Sequence, residues 1–172
     1  MTKLYLVRHG ETEENVKHIL QGHMPGTLTQ QGIEQAKEAV SQISDTAFDV
    51  CLCSDLKRCV DTVNILLEQR KDVPVIFTKL LRERDWGSIT GVVVDREKGV
   101  EMPADVESLP AIRSRAKVFL DYVLQHYDGK NVLVVSHGFM LRIIQAVWRN
   151  VEHKEIVPMK NVEIRELVLC EE

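Results

Sequence analysis

The sequence of 172 residues lacks any basic excess: 22 lysines and arginines face 26 aspartates and glutamates, a net charge of −4 with histidine neutral. Without a long basic stripe to release counterions, nonspecific nucleic-acid binding is excluded. No apolar run approaches the roughly 20 residues of a membrane span, and the first strand-like segment begins almost at Met1, leaving no room for a signal peptide. The cytoplasm is the expected compartment. Cysteines are few, and Cys51, Cys53, Cys59 and Cys170 offer one C-x-C pair with no partner pair at zinc spacing. They read as reduced packing residues, so neither a metal nor another cofactor is expected. Also missing are repeats, low-complexity tracts, a linker, and the G-x-S-x-G elbow of serine hydrolases. Length, 44% hydrophobic and 28% charged residues suit one compact domain over residues 1–172.

What is present begins with Leu4-Tyr5-Leu6-Val7, a short apolar run that ends in Arg8, His9 and Gly10. Such a run reads as a buried parallel strand, and ligands in open α/β sheets bind just beyond the carboxyl ends of strands. His9 therefore stands where a nucleophile is useful, beside a guanidinium able to hold an anion. The pattern repeats at Asn131 to Val135, which ends in Ser136-His137-Gly138. A third strand over Phe48 to Cys53 leads to Ser54-Asp55-Leu56-Lys57-Arg58 and brings a second arginine to the same sheet edge. Leu80 to Gly87 carries Glu83 and Asp85 beside Trp86, and a general acid could come from either carboxyl. The remaining histidines, His18, His23, His126 and His153, lie in polar stretches and read as solvated, although His23 follows Gln21-Gly22 closely.

Thr29 is expected to cap a helix over Gln30 to Ile43, with Ile33, Ala36, Val40 and Ile43 on its buried face. Further helices are expected over Asp55–Gln69, Ile112–Tyr127 and Phe139–Trp148, the last buried all round. Val73–Thr78 reads as a short strand, and Val162 to Leu169 as a final strand, antiparallel at an edge. The expected fold is α/β: a three-layer αβα sandwich around a mostly parallel sheet, with that antiparallel edge strand and a reduced lid segment.

Five ordered blocks, LVRHGETEEN (from Leu6), QGHMPGTLTQQGIEQA (from Gln21), SDLKRCVDT (from Ser54), LLRERDWG (from Leu80) and VVSHG (from Val134), resemble the histidine phosphatase superfamily on its phosphoglycerate-mutase-like branch. The resemblance implies His9 as phosphorylated nucleophile, Glu83 rather than Asp85 as acid, and Arg8, Arg58 and His137 as phosphate ligands. It also implies that Thr12, Asn15, Gln21 and Gly22 line the substrate side. The chemistry independently asks for a neutral His9 whose tautomer is set by a backbone carbonyl, and for a glutamate, desolvated beside Trp86, that holds a proton. Gly138 would open the last helix with its N–H toward the phosphate. Val92 to Leu109 spans only 18 residues, which suggests a small lid that admits water. Its Lys98, and Arg113 and Arg115 beyond it, read as a solvated face. The expectation is a metal-independent phosphomonoester hydrolase acting on a small phosphorylated metabolite. A phosphoglycerate mutase is the alternative, followed by a phosphohistidine-protein phosphatase or a noncatalytic phosphate-binding relative.

Overall fold

The computed structural model describes residues 1–95 and 97–170, so residue 96 of the Val92–Leu109 segment and the last two residues of the chain lie outside it. Strands β1 (Thr2–Arg8), β2 (Val50–Ser54), β3 (Val75–Thr78), β4 (Asn131–Ser136) and β5 (Ile164–Leu169) form one sheet in the order β3-β2-β4-β1-β5. The first four are parallel, and β5 runs antiparallel to β1 along the edge. Alternation within each central strand divides the core. Leu4, Leu6, Val50, Leu52, Val132 and Val134 face one layer, while Val7, Cys51, Cys53, Leu133 and Val135 face the other. The first layer is covered by α4 (Leu109–Tyr127) and α5 (Gly138–Trp148), the second by α2 (Gln30–Ile43) and α3 (Lys57–Leu66). Both faces of the sheet are thus buried, as its near-continuous apolar strands require.

Boundaries shift where side chains find better uses. Helix α3 starts at Lys57 rather than Asp55, because both Asp55 carboxylate oxygens accept from Arg82 at 2.7 Å and Ser54 Oγ accepts the Leu56 N–H. Helix α4 starts three residues earlier than expected, since Ser108 Oγ caps the Ala111 N–H and Pro110 sits in the first turn, where its missing donor costs nothing. In α2 the buried face is Gly32, Ala36, Ala39 and Ile43, with Ile33 and Val40 only half-buried. Small residues at that face let the helix approach the loop after β1. Strand β3 begins at Val75 and β5 at Ile164. A four-residue helix unforeseen in the sequence, α1 (Glu13–Val16), is held by reciprocal bonds between Thr12 and Asn15.

Candidate active site

The carboxyl ends of β1, β2 and β4 meet around a cavity of about 160 Å³. Arg8, His9, Asn15, Gln21, Arg58 and Glu83 supply its polar wall, and Ile19, Leu20 and Trp86 an apolar one, with Gly22 between them. His9 is 3% exposed and its Nδ1 lies 2.7 Å from the Gly10 carbonyl oxygen. A carbonyl only accepts, so Nδ1 carries the proton and Nε2 keeps its lone pair. Burial, then the charges of Arg58 and Arg8, push the His9 pKa well below the ordinary imidazole range. The ring is neutral and its tautomer is fixed, as a nitrogen nucleophile requires.

Both arginines are held by backbone carbonyls through their Nη groups, in a way that leaves the Nε–H of each without an acceptor. Arg8 Nη1 donates to the Met159 carbonyl at 2.8 Å, and Arg58 Nη2 and Nη1 donate to the carbonyls of Gly22 and Met24 at 2.8 and 2.5 Å. Arg58 is 1% exposed, the largest fully buried side chain among the described residues. The Nε–H groups of Arg8 and Arg58 are buried without an acceptor. An orphaned buried donor on a cation is costly, and two flanking one small cavity mark a place for an anion. Burial lowers both guanidinium pKa values, yet a guanidinium stays charged under any ordinary condition.

His137 is fully buried, its ring centroid 5.3 Å from that of His9, with Nε2 2.8 Å from Ser54 Oγ and 3.4 Å from Cys59 Sγ. Desolvation and the nearby Arg58 push its pKa well down, so it too is neutral. Glu83 accepts three backbone N–H groups: Arg84 at 2.9 Å, Phe139 at 3.1 Å and Met140 at 3.0 Å. Two N–H groups at the amino end of α5, those of Phe139 and Met140, are therefore spent on Glu83. This corrects the reading of Gly138, which is absent from the cavity wall and serves by its lack of a side chain: a Cβ there would lie 3.1 Å from Arg8 Nε.

Thr12 is also corrected. Fully buried, it caps α1 and does not line the cavity, so it supports Asn15 without facing a ligand. Asn15, Gln21 and Gly22 do reach the wall, and Gln21 Oε1 is buried with no donor. Asp85 points outward, accepting the Gly87 N–H at 2.9 Å. His23 is not simply solvated, since its Nε2 lies 3.0 Å from the Glu83 carbonyl oxygen. Arg115 departs furthest from a solvated face: its side chain is 19% exposed and bonded on all sides.

Several supports escaped the sequence reading. Thr62 Oγ1 accepts the Gly10 N–H at 3.0 Å and donates to the Arg58 carbonyl at 2.7 Å, joining the nucleophile turn to the second arginine. Asn161 Nδ2 donates to the His9 carbonyl at 3.0 Å and lies 3.4 Å from Asn15 Oδ1. Next to it Val162 adopts φ +56°, a left-handed conformation unusual for a β-branched residue, while its N–H bonds the Arg8 carbonyl. Ser54 and Thr62 lie inside a motif block and were within reach; Asn161 sits in a polar turn with no sequence signal.

A neutral histidine at a strand end, two buried guanidiniums and a second histidine opposite agree with the family comparison. The family model described as "Histidine phosphatase superfamily (branch 1)" matches residues 4–172. The chain belongs to this superfamily. Among similar superfamily members, the adenosylcobalamin/alpha-ribazole phosphatase of Salmonella typhimurium is 34% identical over 160 residues, covering 84% of this chain and 78% of that protein. A 2,3-bisphosphoglycerate-dependent phosphoglycerate mutase of Parvibaculum lavamentivorans is 33% identical over 159 residues, covering 81% and 76%. The crystal structure of the alpha-ribazole phosphatase from Shigella flexneri superposes with a TM-score of 0.86 at 25% identity, over 98% of this chain and 91% of that one.

Proposed function

We propose that this chain, as one catalytic domain, hydrolyses small phosphomonoesters through a phosphohistidine on His9. The observation that carries the reading is the pair of unpartnered Nε–H groups on Arg8 and Arg58 beside a His9 whose Nδ1 is engaged and whose Nε2 is free. In the first step His9 Nε2 attacks phosphorus while the ester P–O bond breaks. Charge on the equatorial oxygens is met by the two arginines, while His137, behind His9 and outside the cavity wall, packs against the His9 ring. Glu83 gives its proton to the departing alkoxide, and the carboxylate left behind is stabilised by the Arg84 N–H and by two N–H groups, of Phe139 and Met140, at the amino end of α5. In the second step water attacks the phosphohistidine, Glu83 takes up the proton, and inorganic phosphate leaves. A cavity of about 160 Å³ holds a phosphoryl group and little else, which suits a small metabolite whose remainder rests on Ile19, Leu20 and Trp86. The relatives that act on alpha-ribazole phosphate are consistent with such a substrate class.

No helix among the described residues is long and apolar enough to cross a membrane, and the four free thiols suit a reducing compartment, which we take to be the cytoplasm. Rapid quench with a phosphorus-labelled monoester tests the mechanism. Wild type should yield an acid-labile protein-bound phosphate, and His9→Ala should yield none and lose turnover. Labelling that persists in His9→Ala would require another nucleophile.

A further inference from the structure

Arg115 and Glu107 lie outside the cavity, yet between them they hold most of the backbone that carries Glu83. Arg115 extends from α4, and its Nε and Nη2 grip the two Glu107 carboxylate oxygens at 3.0 and 2.8 Å. The same guanidinium donates to three carbonyls of the acid loop: Nη1 to those of Leu80 at 3.0 Å and Arg82 at 2.6 Å, and Nη2 to that of Glu83 at 3.2 Å. Glu107, at the end of the short lid segment, works on the other side of that loop. Its carboxylate accepts the Asp85 N–H at 3.0 Å, its own N–H donates to the Asp85 carbonyl at 2.9 Å, and its carbonyl accepts from Arg84 Nε at 2.8 Å. Side-chain exposures of 19% and 15% place this pair out of bulk water, where a forked guanidinium–carboxylate contact is rigid and directional.

Resting on the reading of Glu83 as the acid, we propose that the Glu107–Arg115 pair consists of positioning residues for that acid, registering the Glu83 backbone against α5 so that its carboxyl meets both the cavity and the Phe139 and Met140 N–H groups. The pair makes no contact with the phosphate site. A displacement of about 1 Å at Glu83 is enough to spoil proton delivery while leaving the arginine cradle and His9 intact. The lid segment is thereby coupled to proton transfer through Glu107.

The test compares Arg115→Lys and Glu107→Gln with Glu83→Gln on two substrates: an alkyl phosphate with a basic alkoxide leaving group, and p-nitrophenyl phosphate, whose leaving group departs without a proton. Competitive inhibition by inorganic phosphate and melting temperature are measured on each variant. Arg115→Lys and Glu107→Gln should lower kcat on the alkyl ester by about 10-fold or more, with a loss under about 3-fold on p-nitrophenyl phosphate and an unchanged phosphate inhibition constant. In the Glu83→Gln background, Arg115→Lys should add no further leaving-group dependence. Equal losses on both substrates, or a phosphate constant that weakens in step with activity, would make the pair merely structural and overturn the inference. The acid reading fails separately, if Glu83→Gln itself shows no difference between the two substrates, and the inference then falls with it. Should Arg115→Lys not fold, Glu107→Gln alone decides by the same ratio.

Discussion

At His9 and His137, burial and function pull together. Each imidazole is neutral in the folded chain because desolvation and Arg58 oppose its protonation, whereas in the unfolded chain it takes up a proton near its ordinary value of about 6.5. Below that pH the unfolded state binds more protons, so stability falls as pH falls, by up to about 1.4 kcal/mol per pH unit for each histidine. His153, which burial and the nearby Arg142 also hold down, adds in the same direction. Carboxylates with lowered pKa values, such as Asp49 and Asp55, contribute only nearer pH 4 and below. Urea denaturation between pH 8 and pH 5 should therefore show a plateau above about 6.5 and a decline below it; a flat profile would contradict two buried neutral histidines. That Arg8, His9, Arg58 and Glu83 would share one cavity was legible in the chain, less from a strand end followed by glycine than from five ordered blocks read together. The partners that hold them were not, since a carbonyl such as Met159's carries no side-chain signature.

Among the elements, α2 fixes the nucleophile turn by contact and not by charge. Thr29 caps the helix, its hydroxyl also donates to the Glu11 carboxylate, and Gly32 lies so close to the turn that a Cβ there would be 2.1 Å from the Glu11 carbonyl oxygen. Alanine replaces glycine in most helices with a gain of about 1 kcal/mol. Here the sign reverses. Gly32→Ala should cost about 1–3 kcal/mol in urea melts, because backbone must move to admit the methyl group, and should reduce kcat because Glu11 and Gly10 adjoin His9. An increase in stability with unchanged turnover would show that the turn yields freely. Element types and order followed from periodicity, but the ends moved wherever a side chain had a stronger partner than the helix. The shift of α3 to Lys57 is of that kind: the pattern starts the helix at Asp55, and the approach of Arg82 from a distant loop engages that side chain instead.

For the whole molecule, charge compensation at the phosphate comes from protein groups alone in the proposed mechanism, so turnover should survive exhaustive treatment with EDTA. Loss of activity that a divalent ion restores would remove that mechanism. The mutase alternative, which a 33% identical relative keeps in view, makes a different demand: a phosphohistidine shielded until an acceptor binds. Arg115 is committed to Glu107 and the acid loop, and neither Lys98, in a surface pair with Asp95, nor Arg113, which donates to the Val151 carbonyl, lines the cavity. Incubation with 3-phosphoglycerate and catalytic 2,3-bisphosphoglycerate should give little 2-phosphoglycerate while a simple monoester releases phosphate; faster interconversion than hydrolysis would reverse the assignment.

The segment from Met159 to Val162 touches Arg8 and His9 across 151 and 152 positions of sequence, and β1 lies between β4 and β5. The proposed nucleophile thus comes early in the chain and its supports come late. A growing polypeptide can pair β1 on one side only after β4 has emerged and on the other only after β5, and can seat the Arg8 guanidinium only after Met159 has emerged. Contacts of such sequence separation form slowly, because loop closure comes before the reward. Until then Arg8 and His9 sit on an unpaired strand edge, with neither their anion cradle nor their reactivity assembled. On the proposed mechanism, catalytic competence is consequently a timer on synthesis: nascent chains arrested before Asn161 should carry every proposed reacting side chain and release no phosphate from a monoester.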